Sequence, residues 1–308
     1  YKFTRGSWDN EAISIDCIIP ANHTAIAARK DIIRIKIDNW KDECNSKSAV
    51  ITGMVQYHRS VKSQHLENNR DVIVWLPPDY NEESSNYPVL YMHDGQNIVD
   101  QSTSFLGADW MVDEVATELI EDNKMSKIIV VGVYNTNSRT AEYSPIHLGR
   151  AYTQFLIEEL KPFIDKNYRT LTGPENTAIA GSSMGGIISF HIAWEHPDVF
   201  GMSACMSPAF MIDDNEIVKR VKSYSGIKKP VKFYIDNGTI GLEKQFDASM
   251  NEIIRLLKNM GYEENVDLMV YIDEGAEHNE IAWSKRVHMP LLYFFGLDLI
   301  NPFPGYSD

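Results

Sequence analysis

One serine in the sequence stands in a setting that suits nucleophilic chemistry. Ser183 lies in the stretch IAGSSMGG, between Gly181 and Gly185. An apolar run precedes it and a helical pattern follows it, and the glycines leave room for a sharp strand-to-helix turn. Such a turn lifts the hydroxyl clear of the sheet and aims the first helix amides at the group under attack. Ser183 is therefore the predicted nucleophile, and Ser182 beside it is interpreted as a small turn residue.

The base that would activate this serine is expected later in the chain. A serine hydroxyl is a poor nucleophile alone, and the chain order serine, acid, histidine is typical of this kind of turn. His278, in DEGAEHNEIAW, follows one predicted strand and precedes the last predicted helix, which is the expected position. His191 and His196 lie five residues apart and off one helix face, so they do not predict a zinc site. We expect no metal and no organic cofactor.

The acid that orients the histidine is expected in the loop YIDNGTIGLEKQF, which follows the preceding strand. Asp236 is nearest the strand end. Glu243 follows a glycine-bracketed segment that lets the chain turn back, whereas Asp247 is predicted to lie in a helix and to be solvated. Both Asp236 and Glu243 can balance an imidazolium charge. Spacing alone does not choose between them.

Alternating strands and helices must position these residues. The run at 128–133 is β-branched without polar alternation, which is typical of a central parallel strand. The pattern predicts an α/β fold with a mainly parallel sheet and helices on both faces. The predicted strands are 54–57, 71–76, 89–92, 128–133, 177–180, 202–206, 231–235 and 268–272, and the predicted helices are 110–122, 148–166, 184–196, 243–260 and 280–294.

The N-terminal segment differs from the rest of the chain. Residues 1–46 contain three short β-like runs, KFTRGSW, ISIDCII and IIRIKID. The first resembles the later strands of a starch-binding β-sandwich, so we predict a partial β-module or β extension here and a catalytic domain over 47–308. Cys17 and Cys44 either form a disulfide or remain free thiols.

Composition excludes some partners. The 308 residues carry a formal charge of −14, which argues against nucleic acid and anionic membrane surfaces. No apolar run approaches the length of a transmembrane helix. The chain begins without methionine and without a visible signal peptide, so we expect a processed chain, with a secreted or periplasmic location favoured. The expected partner is a small-molecule or carbohydrate ester, and the oligomeric state is not indicated.

Several further stretches carry a family resemblance. RDVIVWLPPDY, YPVLYMHDGQN, IIVVGVYN, EYSP, FLIEELKPFIDKNYRT and GAEHNEIAW run from about Arg70 to Gly296. Together with the serine turn they resemble the putative esterase branch of the α/β-hydrolase superfamily. That branch includes feruloyl and acetyl-xylan esterases, siderophore-lactone esterases and S-formylglutathione hydrolases. The resemblance implies an α/β-hydrolase fold and a serine esterase.

The resemblance also implies roles for individual residues. Within the branch the chain is similar to bacterial hydrolases with HDGQN and an acid after an Asn-Gly pair, which implies Glu243, in DNGTIGLE. Many relatives place the acid nearer the Gly-Thr, so Asp236 stays the alternative. The implied oxyanion hole uses the amides of Met184 and, in HDGQN, of Gln96 rather than Gly95.

Substrate-binding residues are expected near the catalytic edge of the sheet. The candidates are Asn135, Arg139, Tyr143 and Phe210. Arg139 either binds substrate or braces its loop through an ion pair with Glu142. Trp110 and Trp194 are further candidates for pocket walls, although core packing explains Trp194 better.

The predicted function is a serine carboxylic-ester hydrolase that forms an acyl-enzyme. Its substrates are acyl or feruloyl esters of carbohydrates, or small esters, and the N-terminal resemblance favours carbohydrate esters. The alternatives are a siderophore-lactone esterase, an acyltransferase on the same fold, and a binding module without catalytic activity.

Overall fold

The computed structural model describes residues 3–4, 12–13, 36–37, 39–40 and 51–297. Near the N-terminus two short strands, β1 (Ala12–Ile13) and β2 (Asn39–Trp40), pair antiparallel. Most of the predicted N-terminal β-module lies outside the described residues, as do Cys17 and Cys44. The division of the chain at residue 46 therefore stays a prediction.

A large sheet forms the centre of the molecule. Its strand order is β10-β9-β8-β7-β5-β6-β4-β3, and the six strands from β10 to β6 run parallel. The strands β4 and β3 complete one edge in antiparallel pairing. The strands are β3 (Met54–Val61), β4 (Arg70–Leu76), β5 (Val89–His93), β6 (Ile129–Val133), β7 (Thr177–Ser182), β8 (Met202–Met206), β9 (Lys232–Gly238) and β10 (Leu268–Asp273).

Helices connect these strands. The predicted helix over 148–166 is continuous but contains a π-helical segment, Phe155–Leu160, between two α-helices. The predicted final helix is observed as two helices, and the sequence patterns missed the helices over 139–142 and 212–223. The helices are α1 (Val112–Glu121), α2 (Arg139–Glu142), α3 (Gly149–Gln154), α4 (Lys161–Asn167), α5 (Met184–Glu195), α6 (Ile212–Ser223), α7 (Asp247–Asn259), α8 (Glu280–Arg286) and α9 (His288–Phe295). None of the helices in the described part of the chain has the length and apolar character needed to cross a bilayer.

Both faces of the sheet are buried. Successive residues of a strand point to opposite faces, and the two core clusters follow this alternation: Val89 and Tyr91 of β5 belong to one cluster, Leu90 and Met92 to the other. Apolar residues at every position stabilise a strand that is buried on both faces. This explains why the predicted strands are continuous apolar runs without polar alternation. The predicted fold class, a mainly parallel sheet with helices on both faces, is confirmed.

The strand order creates a crevice for a site. The chain proceeds from β5 to its neighbour β6 and then crosses to β7 on the other side of β5. In open α/β sheets, ligands bind outside the carboxyl ends of strands where the order reverses in this way. Asp94 follows β5 and Ser183 follows β7. Both therefore lie at the switch point.

Candidate active site

Ser183 occupies the sharp turn that the sequence predicts. It follows β7 directly, and α5 begins at Met184. Its φ of 57° and ψ of −119° lie outside the regions that L-residues ordinarily adopt. A Cβ at Gly181 would approach the backbone of Gly185 to 2.8 Å, so the turn has no room for a side chain there. Backbone strain of this kind occurs mostly at functional sites.

The predicted oxyanion donors lie near this turn. Met184 is the first residue of α5, and the first amides of a helix have no partner within it. Gln96 belongs to a 3₁₀ turn, Gly95–Asn97, that follows β5. A Cβ at Gly95 would lie 2.4 Å from the carbonyl carbon of Gly132, so this turn packs directly against β6. Gln96 lines the same cavity as Ser183, and both amides stay predictions as oxyanion donors.

His278 is held by a buried carboxylate. Its Nδ1 lies 3.1 Å from Oε1 of Glu243, a completely buried residue in the 3₁₀ turn after β9. Phe246 and Trp283 pack edge-on against the imidazole, with ring centroids 5.1 and 4.9 Å away. Because these contacts engage Nδ1 and fix the ring, Nε2 is the nitrogen available to a hydroxyl. His278 and Ser183 line one cavity.

Asp236 does not contact the histidine. Its two carboxylate oxygens accept hydrogen bonds from Arg286, from Nε at 3.0 Å and from Nη2 at 3.1 Å. The amide of Ser207 and the hydroxyl of Tyr234 also donate to it. Both members of the Asp236–Arg286 pair are buried. The geometry thus supports Glu243, and not Asp236, as the partner of His278.

Ser207 forms hydrogen bonds with the carboxylates of both Asp236 and Glu243. The sequence patterns did not identify Ser207 as a site residue. Its hydroxyl lies 2.8 Å from Oε1 of Glu243, and it accepts hydrogen bonds from Nε1 of Trp283 at 3.0 Å and Nη2 of Arg286 at 2.7 Å. Because tryptophan and arginine can only donate, the hydroxyl proton of Ser207 must go to Glu243. The bond fixes the oxygen that faces His278.

We expect Ser207→Ala to lower kcat about tenfold while leaving KM within about twofold, because it removes a hydrogen bond to a charged group that orients His278. Steady-state kinetics with a chromogenic ester measure this split. The matched control is Ser203→Ala, since Ser203 is equally buried on β8 but its hydroxyl forms a hydrogen bond with the sulfur of Cys205 and not with a site residue. Equal kcat losses in the two variants would show that Ser207 has no specific role.

Asp94 and Arg139 form an ion pair at the other end of the site. Nε and Nη2 of Arg139 donate to the two oxygens of Asp94 at 2.7 and 2.8 Å, and Asn135 donates to Oδ1 at 2.6 Å. Although burial raises the pKa of Asp94, the hydrogen bonds and the charge of Arg139 outweigh it, and the net pKa is lowered. The alternative pairing of Arg139 with Glu142 is wrong, because Glu142 binds the buried Arg70.

The four predicted substrate-binding residues separate into two groups. Asn135 and Arg139 line the cavity, and their role in substrate binding stays a prediction. Tyr143 and Phe210 are completely buried and do not line it. Tyr143 supports the ion pair, since its ring lies under the Arg139 guanidinium at 4.9 Å. Phe210 packs edge-on against Phe190 in the core at 5.3 Å, so its expected role as a pocket wall is incorrect.

The two tryptophans considered as candidates for pocket walls, Trp110 and Trp194, also lie in the interior. Trp110 is 4% exposed and packs against Trp283, with ring centroids 5.5 Å apart. Trp194 stacks on Phe190 at 5.7 Å in the core, which confirms the core-packing interpretation.

The cavity has a volume of about 410 Å³. The sequence reasoning assigned no role to Phe105, Leu106, Glu280 or Trp283, which form part of its wall. Two of these, Glu280 and Trp283, belong to the quoted stretch GAEHNEIAW, so their nearness to His278 in sequence was the available signal. The lining residues are Asp94, Gln96, Asn97, Phe105, Leu106, Asn135, Thr136, Arg139, Ser182, Ser183, His278, Glu280 and Trp283.

Glu280→Gln is expected to stabilise the protein at pH 8 and to have little effect near pH 4. Burial raises the pKa of Glu280 to about 7, from an ordinary value of 4.5. Between these values the folded state holds a proton that the unfolded state releases, so the free energy of unfolding falls as pH rises. At about 1.4 kcal/mol per pKa unit, the glutamine gains about 1–3 kcal/mol above pH 7. Urea unfolding at pH 4, 6 and 8 measures it, and a glutamine variant less stable than wild type at pH 8 contradicts the expectation.

Comparison with known families identifies the family of this chain. A family model described as "Putative esterase" matches residues 63–289. The chain belongs to this esterase family. This esterase is a carboxylic ester hydrolase with an α/β-hydrolase fold.

Two relatives of this esterase differ in how much of their own length matches it. Uncharacterized protein YbbA of Bacillus subtilis is 22% identical over 252 residues, which cover 76% of this chain and 96% of YbbA. An endo-1,4-beta-xylanase/feruloyl esterase of Xylanibacter ruminicola is 28% identical over 218 residues. That match covers 69% of this chain but only 27% of the relative.

Solved structures share the fold. A ferulic acid esterase superposes with a TM-score of 0.65 at 22% identity, covering 79% of this chain and 98% of that one. The enterobactin esterase FES of Shigella flexneri gives 0.67 at 14% identity, covering 80% of this chain and 60% of that one. At these identities the likeness establishes the fold alone.

Proposed function

We propose that this esterase cleaves its substrates through a covalent acyl-enzyme on Ser183. The observation that carries the proposal is the buried Glu243–His278 pair at 3.1 Å, on the wall of the cavity that Ser183 also lines. A carboxylate at Nδ1 holds the imidazole in the tautomer that accepts a proton at Nε2. The strained turn presents the serine beside free helix amides.

The reaction proceeds in two halves. The Ser183 hydroxyl oxygen bonds to the ester carbonyl carbon while His278 takes its proton, and the carbonyl electrons move onto the oxygen. The amides of Met184 and Gln96 stabilise that oxyanion. The carbon–oxygen bond to the alcohol then breaks, and His278 delivers the proton to the alcohol. In the second half, water gives a proton to His278 as its oxygen bonds to the acyl carbon. The bond from that carbon to the Ser183 oxygen then breaks, His278 returns the proton to Ser183, and the acid is released.

The substrates that we propose are acyl or feruloyl esters of carbohydrates, or small esters. The cavity combines apolar groups, Phe105, Leu106 and Trp283, with polar groups such as Asn135 and Glu280, which suits an acyl group or ring next to hydroxyls. The relative with feruloyl esterase in its name supports this class. The enterobactin esterases of the same fold favour a siderophore lactone as the second candidate.

An ester panel tests the proposal. The panel contains p-nitrophenyl acetate and butyrate, methyl ferulate, acetylated xylan and a catecholate trilactone, with products identified in the presence and absence of an added acceptor alcohol. We expect free acid as the main product in both conditions. Transfer of the acyl group to the alcohol without free acid would identify an acyltransferase instead, and no turnover of any ester would contradict the proposal.

A further inference from the structure

Glu280 is a buried carboxyl on the wall of the active-site cavity. It is the first residue of α8, two residues after His278, and only 7% of it is exposed. Asn279 caps this helix by accepting a hydrogen bond from the amide of Ala282 at 3.0 Å. The cap fixes the backbone from which the Glu280 side chain reaches the cavity.

The hydrogen bonds of this carboxyl are incomplete. Nδ2 of Asn97 lies 3.4 Å from Oε1, which is longer than an ordinary bond of this type. Oε2 is buried and has no hydrogen-bond partner in the protein. Nearly all buried polar atoms in folded proteins do have partners. The missing partner is therefore expected among the molecules that fill the cavity.

The charged groups near Glu280 are already paired with other residues. Arg139, after β6, is bound through two hydrogen bonds to Asp94, after β5. His278 is bound to Glu243. Burial and the charge of Asp94 raise the pKa of Glu280 to about 7, against the opposing charge of Arg139. Near neutral pH the carboxyl therefore exists in both protonated and ionised forms.

We propose that Glu280 binds a hydroxyl group of the substrate beside the ester that is cleaved. A hydroxyl donates to a carboxylate and accepts from a carboxylic acid, so it suits both forms of this group. A substrate carboxylate would meet repulsion at the same place, and an apolar group would leave Oε2 unpaired. This inference rests on the proposed function and adds the kind of group that the site recognises.

Asn97 extends the proposed subsite to an aromatic wall. Its Oδ1 accepts a hydrogen bond from the amide of Phe105 at 3.0 Å, while its Nδ2 faces Glu280. The Phe105 side chain is 74% exposed and lines the cavity. The hydroxyl that Glu280 binds is thus expected on a group with an apolar face that contacts Phe105.

Matched esters test the subsite. One pair places the hydroxyl in the acyl chain, p-nitrophenyl butyrate and p-nitrophenyl 3-hydroxybutyrate, and one places it in the alcohol, ethyl butyrate and 2-hydroxyethyl butyrate. We expect wild type to prefer the hydroxylated member of at least one pair in kcat/KM. Glu280→Leu should reduce that preference about tenfold, whereas Glu280→Gln, which still donates and accepts, should keep most of it.

The control and contrary results separate this inference from the proposed function. Glu274→Gln alters an exposed glutamate on the same loop and should keep the preference. Thermal melting verifies that each variant is folded. A preference that Glu280→Leu leaves unchanged, or one that Glu280→Gln removes as completely as leucine does, overturns the inference while the esterase mechanism stands. Equal kcat/KM for the two members of both pairs in wild type also overturns the inference. Failure of wild type to hydrolyse these pairs and every ester of the panel contradicts the proposed function itself.

Discussion

Ser183→Ala is expected to lower kcat for p-nitrophenyl esters by at least about 10⁴-fold. The variant removes the atom that forms the acyl-enzyme, and the cavity and the oxyanion amides retain only the residual catalysis that binding and electrostatics supply. The Glu243–His278 contact does not involve the serine, so it should survive the substitution. Initial rates at saturating p-nitrophenyl butyrate measure the loss.

The neighbouring hydroxyl provides the control for this variant. Ser182 ends β7 and also lines the cavity, but it lies on the regular strand rather than at the strained turn. Ser182→Ala should keep kcat within about tenfold of wild type. Comparable rates for wild type and Ser183→Ala, or a collapse of activity in Ser182→Ala alone, would remove Ser183 from the mechanism.

Variants of the two buried acids, Glu243 and Asp236, have the second-largest expected effects, and these effects differ in kind. Glu243→Gln should lower kcat by about 10³-fold, because the amide no longer balances the imidazolium that forms during the reaction. Asp236→Asn should instead lower the free energy of unfolding by about 3–5 kcal/mol, since it neutralises the buried carboxylate that pairs with Arg286 and leaves that cation only the longer contact with Asp273, at 3.3 Å. Kinetics and urea unfolding on both variants measure the two effects.

A double variant tests whether the loss of stability in Asp236→Asn comes from the buried charge of Arg286. Asp236→Asn combined with Arg286→Met removes the buried cation whose main partner is lost, so it should be more stable than Asp236→Asn alone. If the folded Asp236→Asn protein is inactive while Glu243→Gln turns over normally, the two acids have exchanged roles relative to this account.

Local sequence signals were sufficient to predict the sharp turn at Ser183 and the sheet. The glycines around Ser183 are required by contacts a few residues away, and the apolar strands reflect burial on both faces, so both leave a pattern in the sequence. The sequence patterns did not predict the helix α6, for a physical reason. Its buried residues, Ile217, Val218 and Val221, form a narrow stripe, and three successive residues with left-handed φ near its start break the helical pattern.

The contacts that distinguish the two acids, and the positions of Phe210 and Ser207, could be seen only in the folded chain. Asp236 is the acid nearest the strand end, but Arg286, 50 residues later, occupies it. Phe210 follows a strand as a pocket residue would, yet its ring turns into the core against Phe190. Ser207 depends on donors from Trp283 and Arg286, far along the chain. Such long-range partners leave no periodic signal, so spacing cannot identify them.

Covalent labelling tests the central claim most directly. Wild-type enzyme is treated with a p-nitrophenyl phosphonate, which a serine activated by a histidine attacks at phosphorus with loss of nitrophenolate, and the digest is sequenced by tandem mass spectrometry. The account predicts one phosphonyl group per chain, on Ser183, and much slower labelling of His278→Ala. Labelling at Ser182 or Ser207 in place of Ser183, or no labelling of an enzyme that still hydrolyses esters, would contradict it.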